Sequence, residues 1–196
     1  GSPHQGELYS AFTDFTPSPG PIMFSRSTDL GKMFSSPIQI SDSIGTSFGQ
    51  GVNLAVGPEG KVYAVWSGYN SFPATRTMVG FNVSTNGGLT WSHARAIDTI
   101  NEVRGFLFKG MNSIRVASFP SMAVDRSSGP RKGWLYIVYP EFNGLTPDIR
   151  LIRSTDFGAS WSIPHKVNQD VSGKDQWSPW VTVDPVTGGL FVVYYD

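Results

Sequence analysis

Short apolar segments alternate with polar turns along the chain. Three times, a short apolar run is followed, after a turn rich in Gly, Pro and Asp, by a longer run of β-branched and aromatic residues. These pairs are residues 54–56 with 62–66, 122–124 with 135–139, and 181–183 with 190–194. Such pairs are typical of β-hairpins, and near-continuous apolar strands fit sheets buried on both faces. Since no segment has a convincing helical period with caps, the pattern predicts an all-β protein.

A glycine precedes the longer run of each pair. We assign Gly60, Gly133 and Gly189 to one equivalent position, and Gly6 to the same position ahead of residues 8–12. The pattern therefore predicts one supersecondary unit that recurs along the chain.

A second repeated element is the frame Ser-Thr-Asp/Asn-x-Gly-x-x-aromatic, at residues 27–34, 84–91 and 154–161. Its defining residues are Ser27, Asp29, Gly31 and Phe34, then Ser84, Asn86, Gly88 and Trp91, and finally Ser154, Asp156, Gly158 and Trp161. A repeat every ~55 to 70 residues indicates a propeller or an array built from one unit. Because the frame occurs in every repeat, we interpret it as scaffold rather than active site.

Each frame is interpreted as a turn between two strands. We expect the Asp or Asn side chain to bond a backbone N–H two residues on, the glycine to adopt a positive φ, and the aromatic ring to pack between strands. The alternative is a calcium loop, but each copy offers at most one carboxylate. His4, His93 and His165 also lack metal-ligand spacing. We therefore predict no metal site, and no cofactor.

The frame resembles the Asp-box, or BNR repeat, of the sialidase-like β-propellers. This resemblance implies that the box joins the third and fourth strands of a blade and lies away from the active face. Residues 114–126 and 173–180 are similar to segments of secreted, Bacteroidetes-type BNR-repeat proteins, and the similarity covers most of the chain from about residue 51 onward. The superfamily includes hydrolases, lyases and binding modules, so the resemblance is more specific for fold than for activity.

The expected fold is therefore an all-β, sialidase-like β-propeller, with about three blades of an originally six- to eight-bladed propeller. The predicted parts are a partial blade at 6–41, blades at 51–98 and 119–168, and the start of another at 179–196. Unpaired edges of apolar strands are an aggregation hazard. We therefore expect either continuation in sequence or strand pairing with a partner chain.

The amino-acid composition limits the classes of partner and chemistry that this protein can have. The 196 residues carry a formal net charge of zero, which argues against nucleic acid as a partner. The sequence has no apolar stretch long enough to span a membrane. It contains no cysteine, which excludes disulfides and thiol catalysis. We predict a secreted or cell-surface location, as the resemblance implies.

Candidate ligand residues lie where the resemblance places the ligand face. The aligned second strands end at Asp14, Gly68, Glu141 and Asp196, so three acids share one repeat position. They form either a ring at the channel mouth or solvated strand ends that bond loop amides.

Two loops on the same face add further candidates. The loop at 101–118 contains Arg104 and Arg115, which could bind an anionic ligand, unless its Phe residues make it a plug at the propeller edge. The connection at 173–180 contains Asp175, Trp177 and Trp180, and either tryptophan could stack on a sugar or pack between blades.

Three functions stay open on this basis. The leading hypothesis is an extracellular module that recognises a glycan or another surface polymer. The first alternative is an exo-α-sialidase-like glycoside hydrolase with catalytic residues partly in missing blades, since the chain has no Arg-Ile-Pro segment and no assignable Tyr/Glu pair. The second alternative is a structural component of a surface assembly. No catalytic residue is assigned.

Overall fold

The computed structural model describes residues 3–16, 20–46, 48–71, 74, 76–103, 105–106, 115–170 and 173–196. Within these residues the chain forms antiparallel strands and one turn of 3-10 helix at Pro58–Gly60. The first sheet contains β1 (Leu8–Thr13), β2 (Ile22–Ser27) and β3 (Ile38–Gln39). The second contains β4 (Phe48–Val56), β5 (Val62–Tyr69), β6 (Arg76–Ser84) and β7 (Arg95–Asn101). The predicted all-β class is confirmed.

The remaining strands repeat this plan. A short ribbon pairs β8 (Gly105–Phe106) with β9 (Arg115–Val116). The third sheet contains β10 (Ser121–Val124), β11 (Leu135–Phe142), β12 (Pro147–Ser154) and β13 (His165–Lys166). The fourth contains β14 (Trp177–Val183) and β15 (Leu190–Tyr195). β4 contacts β10, and β10 contacts β14, so the first strands of successive sheets lie side by side, as the inner strands of propeller blades do.

Apolar side chains fill the space between successive sheets. Alternate residues of each second strand face opposite neighbours. In β5, Ala64 faces the first sheet while Tyr63 and Val65 face the third. In β11, Ile137 faces the second sheet while Tyr136 and Val138 face the fourth. The second and third sheets are therefore buried on both faces by their neighbours, which explains their near-continuous apolar strands.

The three copies of the frame, called the frame turns below (27–34, 84–91 and 154–161), form the same hydrogen-bonded structure. In each, the serine Oγ donates to the Asp or Asn Oδ1 and accepts the N–H of the glycine, at 2.9, 2.8 and 2.7 Å in chain order. The Oδ1 also accepts the N–H four residues on, at 3.0, 2.9 and 2.9 Å. The expected bond from the Asp or Asn side chain to the N–H two residues on was wrong, because that N–H belongs to the frame glycine and donates to the serine Oγ instead.

The glycine of a frame turn lies against an aromatic ring of the preceding sheet. Gly158 has a φ of +90°, and a Cβ there would lie 2.5 Å from Cζ of Phe81 in β6. Gly88 has a φ of +78°, and its Cβ would lie 2.4 Å from Cζ of Phe24 in β2. A side chain at either glycine would therefore meet both backbone strain and a ring.

The aromatic residue that closes each turn packs on the same ring. Trp91 meets Phe24 edge to face at 4.9 Å, and Trp161 meets Phe81 at 5.3 Å. Phe34 instead remains 47% exposed, because in the described part of the chain no sheet precedes the first one. The predicted packing of the ring between strands is thus confirmed for the two tryptophans.

Strand register corrects one sequence alignment. The glycine that precedes the second strand has a φ of +85° at Gly6, +75° at Gly60 and +86° at Gly133. In the fourth unit the matching residue is Gly188, with a φ of +68°, because its N–H bonds the Asp184 carbonyl just as Gly133 bonds the Asp125 carbonyl. The assignment of Gly189 to this position was one residue out.

Replacing Gly158 with alanine should destabilise the protein by about 2 to 4 kcal/mol, because a left-handed backbone and a displaced Phe81 ring both add cost. Gly144→Ala is the matched control, since Gly144 has a φ of +102° and nothing lies within 4 Å of its Cβ position. Urea unfolding of both variants isolates the ring contact. An equal decrease in the free energy of unfolding in the two variants would show that the contact with the Phe81 ring contributes nothing to stability.

Replacing Asp156 with asparagine should remove part of the acid sensitivity of the fold. Hydrogen bonds from the Ser160 hydroxyl, the Ser160 N–H and the Ser154 hydroxyl lower the pKa of Asp156 from 3.8 to about 2. Since the folded-state pKa is depressed, the contribution of Asp156 is present above about pH 4 and is lost as the pH falls towards 2.

Asparagine can make the same turn, as Asn86 does in the middle copy. Thermal unfolding from pH 5 to pH 2 should therefore show a shallower decline for Asp156→Asn than for the parent protein. Parallel curves would contradict the assignment.

Candidate functional site

The second strands finish at the end of the sheets opposite the frame turns. Phe48 at the start of β4 pairs with Tyr69 at the end of β5, whereas Ser84 of a frame turn pairs with Val62 at the start of β5. We call the end of the sheets at which β5, β11 and β15 finish the loop end. The geometry thus separates the repeated turns from the variable connections at the loop end.

A cavity of about 610 Å³ opens at the loop end, between the inner strands. Three of the residues that line it carry large exposed rings: Phe15 is 69% exposed, Phe119 41% and Trp180 58%. The others are Thr13, Gln50, Gly51, Val116, Ala117, Pro120, Ser121, Ser178 and Pro179. Such a concave, mainly apolar site with a few polar groups is typical of small-molecule binding sites. We refer to it as the axial cavity.

Two β-bulges shape the axial cavity. In β4 the two residues Gly51 and Val52 lie opposite one residue of β5, and in β14 the two residues Ser178 and Pro179 lie opposite one residue of β15. Gly51 has a φ of +65° and Ser178 a φ of +46°, which is uncommon for a serine. Bulges re-aim side chains and are frequent beside active sites, and these two lie at the cavity wall.

The register makes Asn53, Ser121 and Trp180 equivalent, because each pairs with the fourth residue of its second strand. The first two join neighbouring sheets. The Asn53 side chain accepts the Met122 N–H at 3.0 Å, and the Ser121 Oγ accepts the Val181 N–H at 3.2 Å. Trp180 has no oxygen with which to continue this series, and its indole lies exposed at the cavity.

The three predicted acids are already engaged by their surroundings. Asp14 accepts the N–H and hydroxyl of Thr16 at 2.9 and 3.1 Å. Glu141 lies 3.3 Å from the Arg150 guanidinium, and Asp196 accepts a bond from Gln176 at 2.9 Å. Among the described residues that line the axial cavity there is no carboxylate.

A polar network holds the connection that leads into β14. The Asn168 amide donates to Asp148 at 3.0 Å and to Gln176 at 3.0 Å, while its oxygen accepts the Ile149 N–H at 2.9 Å. Burial alone would raise the pKa of Asp148, but hydrogen bonds from Asn168, Lys166 and Asn143 hold that pKa below its ordinary value. This network fixes the segment from which Ser178 and Trp180 reach the cavity.

The other predicted residues take different places. Trp177 stacks on Tyr195 at 4.4 Å with the ring planes 15° apart, so its face is occupied by a neighbouring strand. Asp175 is buried. Arg115 lies in β9, where its backbone pairs with Phe106, and its side chain is outside what the structure describes. Arg104 also lies outside the described residues.

Sequence reasoning missed Phe15, Phe119 and Ser178 as site residues, and it considered Trp180 without selecting it. One signal could have found Trp180: a large ring stands where the aligned units carry Asn53 and Ser121. The other residues share no motif, because they converge only when the sheets are stacked.

Within the described residues, no helix is long and apolar enough to cross a membrane. The same residues contain no cluster of three or more His, Asp or Glu side chains that could hold a metal ion.

No model of a known protein family matches the chain, and no curated protein matches its sequence. Solved structures do match its fold. A protein of unknown function from Dyadobacter fermentans gives a TM-score of 0.60 at 17% identity, over 97% of this chain and 59% of that one. A family 117 glycoside hydrolase from Zobellia galactanivorans gives 0.51 at 13% identity, over 91% of this chain and 53% of that one.

The intramolecular trans-sialidase from Ruminococcus gnavus, solved with oseltamivir carboxylate, gives a TM-score of 0.50 at 17% identity, over 89% of this chain and 32% of the enzyme. The chain thus spans between 32% and 59% of the length of these three structures. At these identities the likeness concerns the fold alone. It confirms the predicted fold class, a sialidase-like β-propeller, of which this chain forms about three blades.

Proposed function

We propose that this protein is a glycan-binding propeller module that holds sugar rings against the aromatic side chains of the axial cavity. Phe15, Phe119 and Trp180 are large, exposed and directed to one space of about 610 Å³. Exposed aromatic surface gathered in a concavity is typical of binding sites rather than of general protein surface. A sugar ring offers an apolar C–H face for such rings and hydroxyls for the neighbouring polar groups.

Trp180 is the single observation that carries the proposal. At the equivalent position of the two preceding units, Asn53 and Ser121 join neighbouring sheets by accepting a backbone N–H of the next sheet. An indole donates a hydrogen bond but cannot accept one in this role. Trp180 instead places a ring in the axial cavity, which is what a ligand-binding role requires.

The chemistry of the cavity favours binding over hydrolysis. Most glycoside hydrolases need two carboxyl groups that flank the scissile bond. Asp14, Glu141 and Asp196 each bond a neighbouring group of the protein, and the described lining of the axial cavity offers neither a carboxylate nor an arginine. The trans-sialidase and the glycoside hydrolase among the structural neighbours support a carbohydrate-related role.

Localisation follows from the proposed ligand. Polymeric glycans lie mainly outside cells, so a module of this kind acts as a secreted or cell-surface protein, with a glycan or similar surface polymer as its partner. The formal net charge of zero agrees with a ligand bound by shape and stacking rather than by a strong electrostatic field.

Replacing Trp180 with alanine should weaken glycan binding by roughly tenfold or more, because a central tryptophan is commonly a main contributor to binding energy. Stability should change little, since the side chain is 58% exposed. Affinity electrophoresis in gels that contain xylan, mannan or laminarin provides the measurement, with urea unfolding run in parallel.

Phe191→Ala is the matched control, because Phe191 is 57% exposed on the same sheet but does not line the axial cavity. It should leave binding unchanged. The proposal would be contradicted by equal retardation of the parent protein and Trp180→Ala on every polymer that retards the parent.

A further inference from the structure

A second, smaller groove of about 300 Å³ lies at the loop end of the second sheet. Its lining includes several residues with hydroxyl or amide side chains and one arginine, Arg76. The other lining residues are Thr46, Gly68, Asn70, Ser71, Ala74, Thr77, Met78 and Thr99. We refer to it as the Arg76 groove.

The Arg76 groove and the axial cavity share one sheet. Gly49, Gly68, Met78 and Thr99 form a single row across β4, β5, β6 and β7. The axial cavity is lined by the next residues of β4, Gln50 and Gly51, and the groove by the other three members of the row. Because neighbouring strands lie about 4.8 Å apart, β4 and β6 are roughly 10 Å apart. One extended polymer can therefore contact both sites.

The groove differs from the matching region of the other sheets in charge. Counted from the first residue of the second strand, Gly68 is at position seven. The same position carries Asp14, Glu141 and Asp196 in the other three units. The second sheet therefore lacks the acid that the others present at the loop end. The space beside Gly68 is taken by Thr46, whose Cγ2 lies 2.9 Å from the position of a Cβ.

Arg76 is exposed and only weakly engaged. Its guanidinium donates to the Thr99 carbonyl at 3.4 Å, and no described acidic side chain forms an ion pair with it. Arg150 in the third sheet contrasts with it, since Glu141 lies 3.3 Å away. The buried acid Glu102 lies beside the groove, where its carboxylate accepts the hydroxyl of the lining residue Thr77 and the Ser118 N–H. The exposed Arg76 guanidinium thus forms no ion pair with any acidic side chain that the structure describes.

We propose that the Arg76 groove binds a sulfate ester carried by the same polymer that occupies the axial cavity. This inference rests on the proposed function for its polymer, but it concerns a separate site. A sulfate ester carries one negative charge over three free oxygens in a tetrahedral arrangement. The groove is lined by one guanidinium together with hydroxyl side chains from three separate segments, Thr46, Ser71 and Thr99. Such a set matches a tetrahedral oxyanion better than a planar carboxylate, for which a guanidinium fork alone supplies both partners.

The charge of the whole protein makes this selectivity a local property. Lys and Arg number 15, and Asp and Glu also number 15. A protein without net charge does not attract polyanions through its overall field. Preference for a sulfated polymer must therefore originate at a particular positive site.

The test uses three polymers with one backbone: dextran, dextran sulfate and carboxymethyl-dextran of equal charge density. The protein should bind dextran sulfate most tightly in isothermal titration. Arg76→Gln should weaken that binding roughly tenfold, since it removes a charge-assisted hydrogen bond to the sulfate oxygens. Binding of uncharged dextran should be unchanged by this variant.

Arg126→Gln is the control, because Arg126 is exposed in the β10–β11 connection, at the end of the sheets away from the loop end. It removes the same charge and should have no effect. Equal losses from Arg76→Gln and Arg126→Gln would overturn the proposal in favour of general electrostatics. Equal affinity for carboxymethyl-dextran and dextran sulfate would overturn the assignment to sulfate.

The two proposals fail in different ways. Trp180→Ala acts on neutral polymers and reports on the axial cavity, whereas Arg76→Gln acts only on sulfated ones. A selective effect of Arg76→Gln in a protein whose Trp180→Ala variant binds neutral polymers normally would support the groove and reject the axial cavity. Loss at Trp180 with no effect at Arg76 would reject the groove alone.

Discussion

The contact between a frame-turn glycine and an aromatic ring of the preceding sheet is the constraint on which the stacking of this protein depends. Gly88 admits Phe24, and Gly158 admits Phe81, at distances that exclude any side chain. The tryptophan of each turn then covers the same ring from the edge. Neither Phe24 of the first sheet nor Phe81 of the second is buried by its own sheet alone, so the next sheet completes the packing of each ring. Stability is therefore a property of neighbouring pairs, as in other repeat proteins.

The hydrogen bonds inside the frame turns serve this contact. A serine hydroxyl and an Asp or Asn oxygen satisfy several backbone groups of one short loop, which fixes the glycine at positive φ without help from other sheets. An exposed carboxylate can fill this role because its partners are local, and Asn86 shows that the charge itself is dispensable. Because these bonds are local, the conformation of the loop does not depend on the ring. The chain therefore loses little further conformational entropy at this loop when the sheets pack.

Sequence could predict what is encoded locally. The frame turns and hairpins follow from residues within a few positions of one another, and the predicted all-β propeller fold rests on them. Residue identity alone could not choose between Gly188 and Gly189, because only strand pairing settles the register. The acids Asp14, Glu141 and Asp196 do stand at strand ends, but their bonds to Thr16, Arg150 and Gln176 depend on loop geometry. The axial cavity needs residues from all four sheets, and no local pattern can reveal that.

The frame turns pack the sheets together at one end, and the axial cavity opens at the other. The β-bulges explain how one set of strands can do both. In β4 and β14 one extra residue is absorbed opposite Trp66 and Tyr194, after which regular pairing resumes. Residues before the bulge can turn toward the axis without shifting the apolar residues after it, such as Leu54 and Val181, out of the core. A one-residue slip in a continuous strand would expose that core. The bulge therefore separates the conformation of the cavity wall from the packing of the core between the sheets. Trp180 can line the cavity while the sheets remain packed against one another.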